Sequence, residues 1–397
     1  MNVRNPDKIN EKARGGRGQE SIWEIPIGMC MGTGDTTWFA LVPPNPPNDG
    51  ILFVDHSKTG RSGHLGHALV EYAPGKILAF YPNCSDARGL NSHGEEWAGH
   101  NGDGWMEYKR SEDGGRTWSE PVALAYSKRV YDEGKGRSVM CEKAVRAADG
   151  AILLFNLECD ISTNRDWGPA WIPTYLRSVD GGHTWTEARA LSDARGRVFD
   201  ALFHDEGIFA LQRERVYALQ VSTDQGESFS RRSELPWKGD DRCYGTMAVL
   251  HDGSLIVYAY NPRDEQRLDR VISPDGGFTW GKVQTSFFEK KIRNPQMAAF
   301  RNGFVLHGRS GGGGQRDGHL VLYASRDGLN WDAGRYLRMQ QAGAGAYTNN
   351  LVVGALEPDA STRLLIQASH AYELSKTNVL HWWLEKPPFN PDFPLHA

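Results

Sequence analysis

Short apolar runs separated by turn residues recur along most of this chain, often in pairs. His67-Ala-Leu-Val is followed by Gly75-Lys-Ile-Leu-Ala-Phe80, and Lys143-Ala-Val by Asp149-Gly-Ala-Ile-Leu-Leu-Phe155. Met247-Ala-Val-Leu-His-Asp252-Gly-Ser-Leu-Ile-Val257 has the same form. Phe199-Asp-Ala-Leu-Phe203 and Met297-Ala-Ala-Phe300 open two further pairs, and Tyr347-Thr-Asn-Asn-Leu-Val-Val353 opens the last. Runs this short, broken by Gly and Asp, predict strands joined by tight turns rather than helices.

A second, sharper repeat is interleaved with the first. Ser111-Glu-Asp113-Gly-Gly115-Arg-Thr-Trp118 recurs as Ser178-Val-Asp180-Gly-Gly182-His-Thr-Trp185 and as Ser273-Pro-Asp275-Gly-Gly277-Phe-Thr-Trp280. Ser222-Thr-Asp224-Gln-Gly226-Glu-Ser-Phe229 ends in Phe, and Ser325-Arg-Asp327-Gly328-Leu-Asn-Trp331 is one residue shorter. An Asp that hydrogen-bonds the amides after it, with Gly supplying positive φ, specifies a turn, and the closing aromatic is expected to pack on the hairpin. The starts are 67, 44, 51 and 52 residues apart. That is the length of a four-stranded propeller blade. The pattern predicts an all-β, six-bladed propeller with antiparallel blades at about 65–126, 140–192, 197–236, 243–287, 293–337 and 346–385. Residues 21–55 are left over and are expected to close the last blade, with an irregular seventh blade as the alternative. Residues 1–20 read as a polar tail and 21–397 as a single propeller domain.

Composition changes this picture little. The 45 glycines, 20 prolines and 13 tryptophans suit a turn-rich β-protein. With 45 Lys+Arg against 49 Asp+Glu, the balance gives no reason to expect nucleic acid or an anionic membrane surface as partner. No run approaches the roughly 20 apolar residues of a membrane span. The polar start shows no secretory leader, so a cytoplasmic location, or a secreted or periplasmic one after removal of a leader, both stay open. Cys30, Cys84, Cys141, Cys159 and Cys243 fit no disulfide framework or zinc spacing and read as buried thiols, with a Cys141–Cys159 bridge as the alternative.

The five Asp-centred boxes at blade spacing resemble the Asp-box repeats of the sialidase superfamily, over roughly 65–385. That superfamily includes sialidases, other glycosidases, propeller polysaccharide lyases and non-catalytic binding proteins. The resemblance implies that function sits where the innermost strands begin, at the central funnel, where sialidases place three carboxylate-gripping Arg, a Tyr nucleophile, a Glu that activates it and an Asp acid. Ala346-Tyr347-Thr348 resembles the segment that carries the Tyr, while Arg316 and Asn261-Pro-Arg263 resemble the places of two of the Arg. The first blade departs from the pattern, with Gly63-His64-Leu65-Gly66-His67 where the first Arg is expected. Cys243-Tyr244-Gly245 lacks the Glu.

These departures shift the expected chemistry from ordinary sialidase action toward cleavage of a uronate-containing glycan by β-elimination. Elimination needs a base, an acid at the leaving oxygen and a cation on the carboxylate. His67 or His100 is the candidate base, because imidazole transfers protons near neutral pH. Tyr244 is the candidate acid or base, and Arg137, Arg242, Arg263 or Arg309 the neutralising cation. His64, Glu142, Asp200 and Arg316 are further funnel candidates, and Lys143 alternates with Glu142. Trp105, with Trp97, Trp167 and Trp171, is a candidate sugar-stacking platform. The alternatives are a glycosidase with Tyr347 as nucleophile and Arg263 and Arg316 on a carboxylate, and a non-catalytic glycan-binding propeller. No cofactor is required by any of these. A structural metal, for instance on His64, His93 and His100, is left open, though the spacing matches no standard ligand set. The expected partner is an acidic oligo- or polysaccharide.

Overall fold

The computed structural model describes residues 40–41, 50–86, 88–90, 96–98, 101–162, 170–213, 215–238, 242–300, 303–310, 319–338, 345–356, 362–373 and 376–385. They form six antiparallel sheets arranged as the blades of a propeller and a separate two-stranded pair, Arg88–Leu90 with Glu96–Ala98. The innermost strands are Ala68–Ala73, Arg137–Arg146, Arg197–His204, Cys243–Val249, Arg293–Phe300 and Gly345–Val353. Each is followed in chain order by the next strand outward. Ala40–Leu41 and Ile51–Val54 both pair with Thr377–Glu385, so the leftover segment closes blade six and forms no seventh blade among the described residues. One α-helix, Ala125–Asp132, joins blades one and two. Cys84, Cys141, Cys159 and Cys243 are all free thiols, which removes the Cys141–Cys159 bridge.

The boxes fold as their residues require, with one difference from expectation. In the first, Asp113 Oδ1 accepts the Thr117 amide at 2.9 Å and Oδ2 accepts the Thr117 hydroxyl at 2.6 Å, while Ser111 Oγ accepts the Gly115 amide at 2.8 Å. The shortened fifth box keeps this scheme by substituting the Asn330 side-chain amide, 2.7 Å from Asp327 Oδ2, for the Thr hydroxyl. The aromatic, however, packs on the preceding blade rather than on its own hairpin. Trp185 meets Phe80 of blade one, Phe229 meets Phe155 of blade two, and Trp331 meets Tyr258 of blade four. The box glycine does the same: a Cβ on Gly226 would lie 2.3 Å from Leu153, and one on Gly277 2.2 Å from Leu219. The box is therefore a clasp between neighbours, and a side chain at that glycine would strike the core of the blade before it.

Between blades the core is aliphatic and aromatic. The waist of the channel is polar. Lys143 reaches Asp200 at 3.0 Å, Gln296 Oε1 at 3.1 Å and Asn349 Oδ1 at 3.0 Å. Asp200 also accepts the Thr246 hydroxyl at 2.7 Å. One buried ammonium thus ties blades two, three, five and six, and its carboxylate partner adds blade four. A buried charge persists only when paired in this way. The waist divides the channel into two openings.

Candidate functional site

At one opening, the inner strand is bulged in blades two to six, near its start in blades three to six and midway along Arg137–Arg146 in blade two. The register skips Glu142 between Cys141 and Lys143, Phe199 between Val198 and Asp200, and Tyr244 between Cys243 and Gly245. It skips Asn294 and Pro295 in blade five, and Ala346 and Tyr347 in blade six. Tyr244, Asn294 and Ala346 take φ of +40°, +51° and +56°. For Tyr and Ala that conformation costs on the order of 1–3 kcal/mol, and such strain clusters at functional sites. The consequence is geometric. A bulge turns a residue out of the ladder, and Glu142, Phe199, Tyr244, Asn294 and Tyr347 converge on one cavity of about 40 Å³.

Charge at this funnel floor is organised around an arginine absent from the sequence-based candidates. Arg197 Nη2 bonds Glu142 Oε1 at 2.6 Å, and its Nη1 lies 3.3 Å from the Tyr244 hydroxyl. Its guanidinium lies 5.3 Å from the Phe199 ring and 5.2 Å from the Tyr244 ring. Burial pushes the Glu142 carboxyl up, with Arg197 opposing it. Burial also pushes the Tyr244 hydroxyl up, reinforced by the neighbouring Tyr347. Arg309 is buried with its guanidinium 5.7 Å from the Tyr347 ring, and His64 meets the same ring edge-on at 4.6 Å. Arg309 pairs in register with Arg293, which bonds Glu265 at 3.1 Å. Burial and the neighbouring Arg293 both lower the Arg309 pKa. Blade five thus presents Arg309, with the Glu265-paired Arg293 next to it, as a wall beside Tyr347.

His67 lines the floor but is held neutral. Its Nδ1 lies 3.0 Å from Gln367 Nε2. The Gln367 amide is oriented by donating to the Phe80 carbonyl at 2.7 Å and by His381 Nε2 against its oxygen at 2.9 Å. His67 Nδ1 is then an acceptor, its Nε2 carries the hydrogen, and burial pushes its pKa down to about 3. An imidazole in this state donates a hydrogen bond and does not take a proton.

The other candidates fall at greater remove. Arg137 bonds Glu158 at 2.5 Å and lies over Trp171. Arg242 pairs with Asp269. Arg263 lies on the exposed turn after Leu255–Asn261. Trp105 packs between Arg61, at 4.6 Å, and Tyr131, at 5.1 Å. None of these four borders the floor cavity. Asp200 belongs to the waist. His93, His100, Arg316, Trp97 and Trp167 lie outside the described side chains. Among the described residues no group of three or more His, Cys, Asp or Glu is arranged to hold a metal ion, and no helix is long and apolar enough to cross a membrane. Arg197 and Asn294 were legible only by position: each stands at the start of an inner strand, within two residues of the place that Tyr244 takes in blade four.

This is a sialidase-like six-bladed propeller. It superposes on a protein of unknown function from Dyadobacter fermentans with a TM-score of 0.64 and 14% identity, covering 88% of this chain and 99% of that one. A point variant of the NanB sialidase from Streptococcus pneumoniae gives 0.58 at 11% identity, covering 87% and 71%. The intramolecular trans-sialidase from Ruminococcus gnavus, solved with oseltamivir carboxylate, gives 0.57 at 12%, covering 85% and 97%. No protein-family model matches the sequence. No curated protein matches it either.

Proposed function

We propose that this chain is a carbohydrate-active enzyme that cleaves a glycosidic bond in an acidic glycan, with Tyr347 as the reacting side chain. The observation that carries this reading is the convergence of bulged residues from five blades on one cavity, with the Tyr347 ring edge-on to Tyr244 at 6.2 Å, Arg197 against Tyr244 and Arg309 against Tyr347. The acid group of the sugar would lie against the Arg309–Arg293 wall, and the sialidase and trans-sialidase among the structural neighbours favour glycan processing. Displacement is the chemistry we favour. The Tyr347 oxygen bonds the anomeric carbon as the glycosidic C–O bond breaks, the tyrosine giving up its hydroxyl proton to solvent and the departing oxygen taking one from solvent. Water then attacks the anomeric carbon, the Tyr347 O–C bond breaks, and the water's proton returns to the tyrosine oxygen. His67 as base was the main support for elimination, and a neutral imidazole with its hydrogen on Nε2 does not serve that role. Elimination remains the second reading because Tyr244 and Tyr347 stand side by side at one cavity, ring centroids 6.2 Å apart, where they would supply its acid and its base.

The test is a panel of sialosides and uronate polymers assayed with wild type and Tyr347→Phe. Displacement predicts release of acidic sugar that Tyr347→Phe abolishes. Appearance of an ultraviolet-absorbing unsaturated uronate would establish elimination instead. Full turnover by Tyr347→Phe would remove both readings.

A further inference from the structure

Four side chains at the funnel floor carry a buried polar atom with no hydrogen-bond partner among the described residues: His67 Nε2, Arg197 Nε, Asn294 Nδ2 and Thr348 Oγ1. All four border the cavity of about 40 Å³ beside Tyr347. A buried polar group left unpaired costs about 1–3 kcal/mol, so native proteins keep few. Four around one cavity describe a site completed by something else.

The kind of completion follows from hydrogen-bond polarity. The Gln367 contact puts the His67 hydrogen on Nε2. Arg197 Nε and Asn294 Nδ2 are donors, and the Thr348 hydroxyl serves either way. The cavity therefore asks for an acceptor oxygen. Charge narrows the choice further. His67 is neutral, Asn294 and Thr348 carry no charge, and Arg197 is already matched by Glu142 at 2.6 Å. An entering carboxylate would bring an unmatched negative charge next to the Glu142 carboxylate, whereas a hydroxyl would not. The cavity of about 40 Å³ has room for a hydroxyl or a hydroxymethyl.

We infer that this cavity is a specificity subsite that receives one uncharged oxygen of the substrate, a sugar hydroxyl or hydroxymethyl, while the acid group of the same sugar lies against Arg309 and Arg293. The inference rests on the glycan reading above and adds to it a division of labour: blade five reads the acid, and the floor reads a neutral oxygen. His67 is then a specificity residue and not a proton carrier.

The experiment follows the His67 Nε2–H signal by ¹⁵N–¹H NMR in wild type and in Tyr347→Phe. The probes are N-acetylneuraminate and D-glucuronate as acidic sugars and acetate as a bare carboxylate. At least one sugar is expected to shift the signal in both proteins, and acetate to leave it unmoved. Thr348→Val should weaken that sugar's binding about tenfold, which is one hydrogen bond. Asn294→Asp exchanges a donor for a carboxylate beside Glu142 and should weaken that sugar's binding at least as much, without admitting acetate. A shift on adding acetate would overturn the choice of a neutral oxygen. A silent His67 with sugars still bound or turned over would overturn the subsite and leave the glycan reading standing, the cavity then holding only water. A silent His67 with no sugar bound or turned over would overturn both.

Discussion

The two ends of the channel are built from the same six strands and differ in one respect. Toward the funnel end, five of the strands carry a bulge, and these bulges deliver Glu142, Phe199, Tyr244, Asn294 and Tyr347 to a common cavity. At the opposite end the same strands finish in small and aliphatic residues, among them Ala144, Leu202, Val249, Ala299 and Val352, around an open cavity of about 440 Å³. Larger volume does not mark the site here. The larger opening is lined mainly by apolar side chains, with Glu71, Lys143, Arg146 and Asp200 among them and one register shift, in blade one, whereas the smaller one offers strained backbone, paired charge and unmet donors. Irregularity kept in five blades of a repeat requires local cost, and a shared polar target is what that cost sustains.

The contrast can be broken at several points. The largest effect is expected at Tyr347→Phe, which should reduce turnover on the order of 10³-fold or more while the melting temperature stays near wild type. Lys143→Met removes the waist that separates the two ends and leaves Asp200 buried without its cation. It should destabilise the propeller by about 3–5 kcal/mol in denaturant unfolding. Glu142→Gln loosens Arg197 without touching either tyrosine. A loss of roughly 10–100-fold in kcat, with the fold intact, is the expected result, the scale seen when an orienting partner is removed. Leu202→Ala at the far opening should leave activity within about twofold and cost about 1 kcal/mol of stability. A larger activity loss there would move the site to the wrong end.

The boxes give a pH signature independent of both ends. Hydrogen bonds from the Thr117 and Thr279 hydroxyls hold the carboxyls of Asp113 and Asp275 at about 2. A depressed folded-state pKa adds stability that is fully present above the unfolded value near 3.9 and is lost as pH falls through about 2. Asp113→Asn and Asp275→Asn should therefore melt lower than wild type above pH 4 and converge with it in acid.

Much of the fold was legible because the boxes are local. Serine, aspartate, glycine and an aromatic at fixed spacing dictate a turn regardless of what surrounds them, and their period set the blade boundaries close to where the strands lie. Which surface the aromatic would cover was not legible, because Trp185 on Phe80 is a contact between blades. The site was half legible for the same reason. Tyr347, Tyr244, Glu142, Arg309 and His67 are all found at the funnel floor, placed by blade register alone. The state of His67 was hidden, since it is fixed by Gln367, 300 residues away in sequence. Arg197 was hidden because nothing in Arg197-Val-Phe-Asp-Ala marks it until Glu142, from the neighbouring blade, is set against it.

The most direct measurement is a crystal structure of Tyr347→Phe soaked with an acidic glycoside that the wild type turns over. The account predicts the sugar over residue 347, with its acid group at Arg309 and Arg293 and an uncharged oxygen within hydrogen-bond distance of His67 Nε2 and Asn294 Nδ2. A sugar seated in the opposite opening, between Leu202 and Val352, would contradict it.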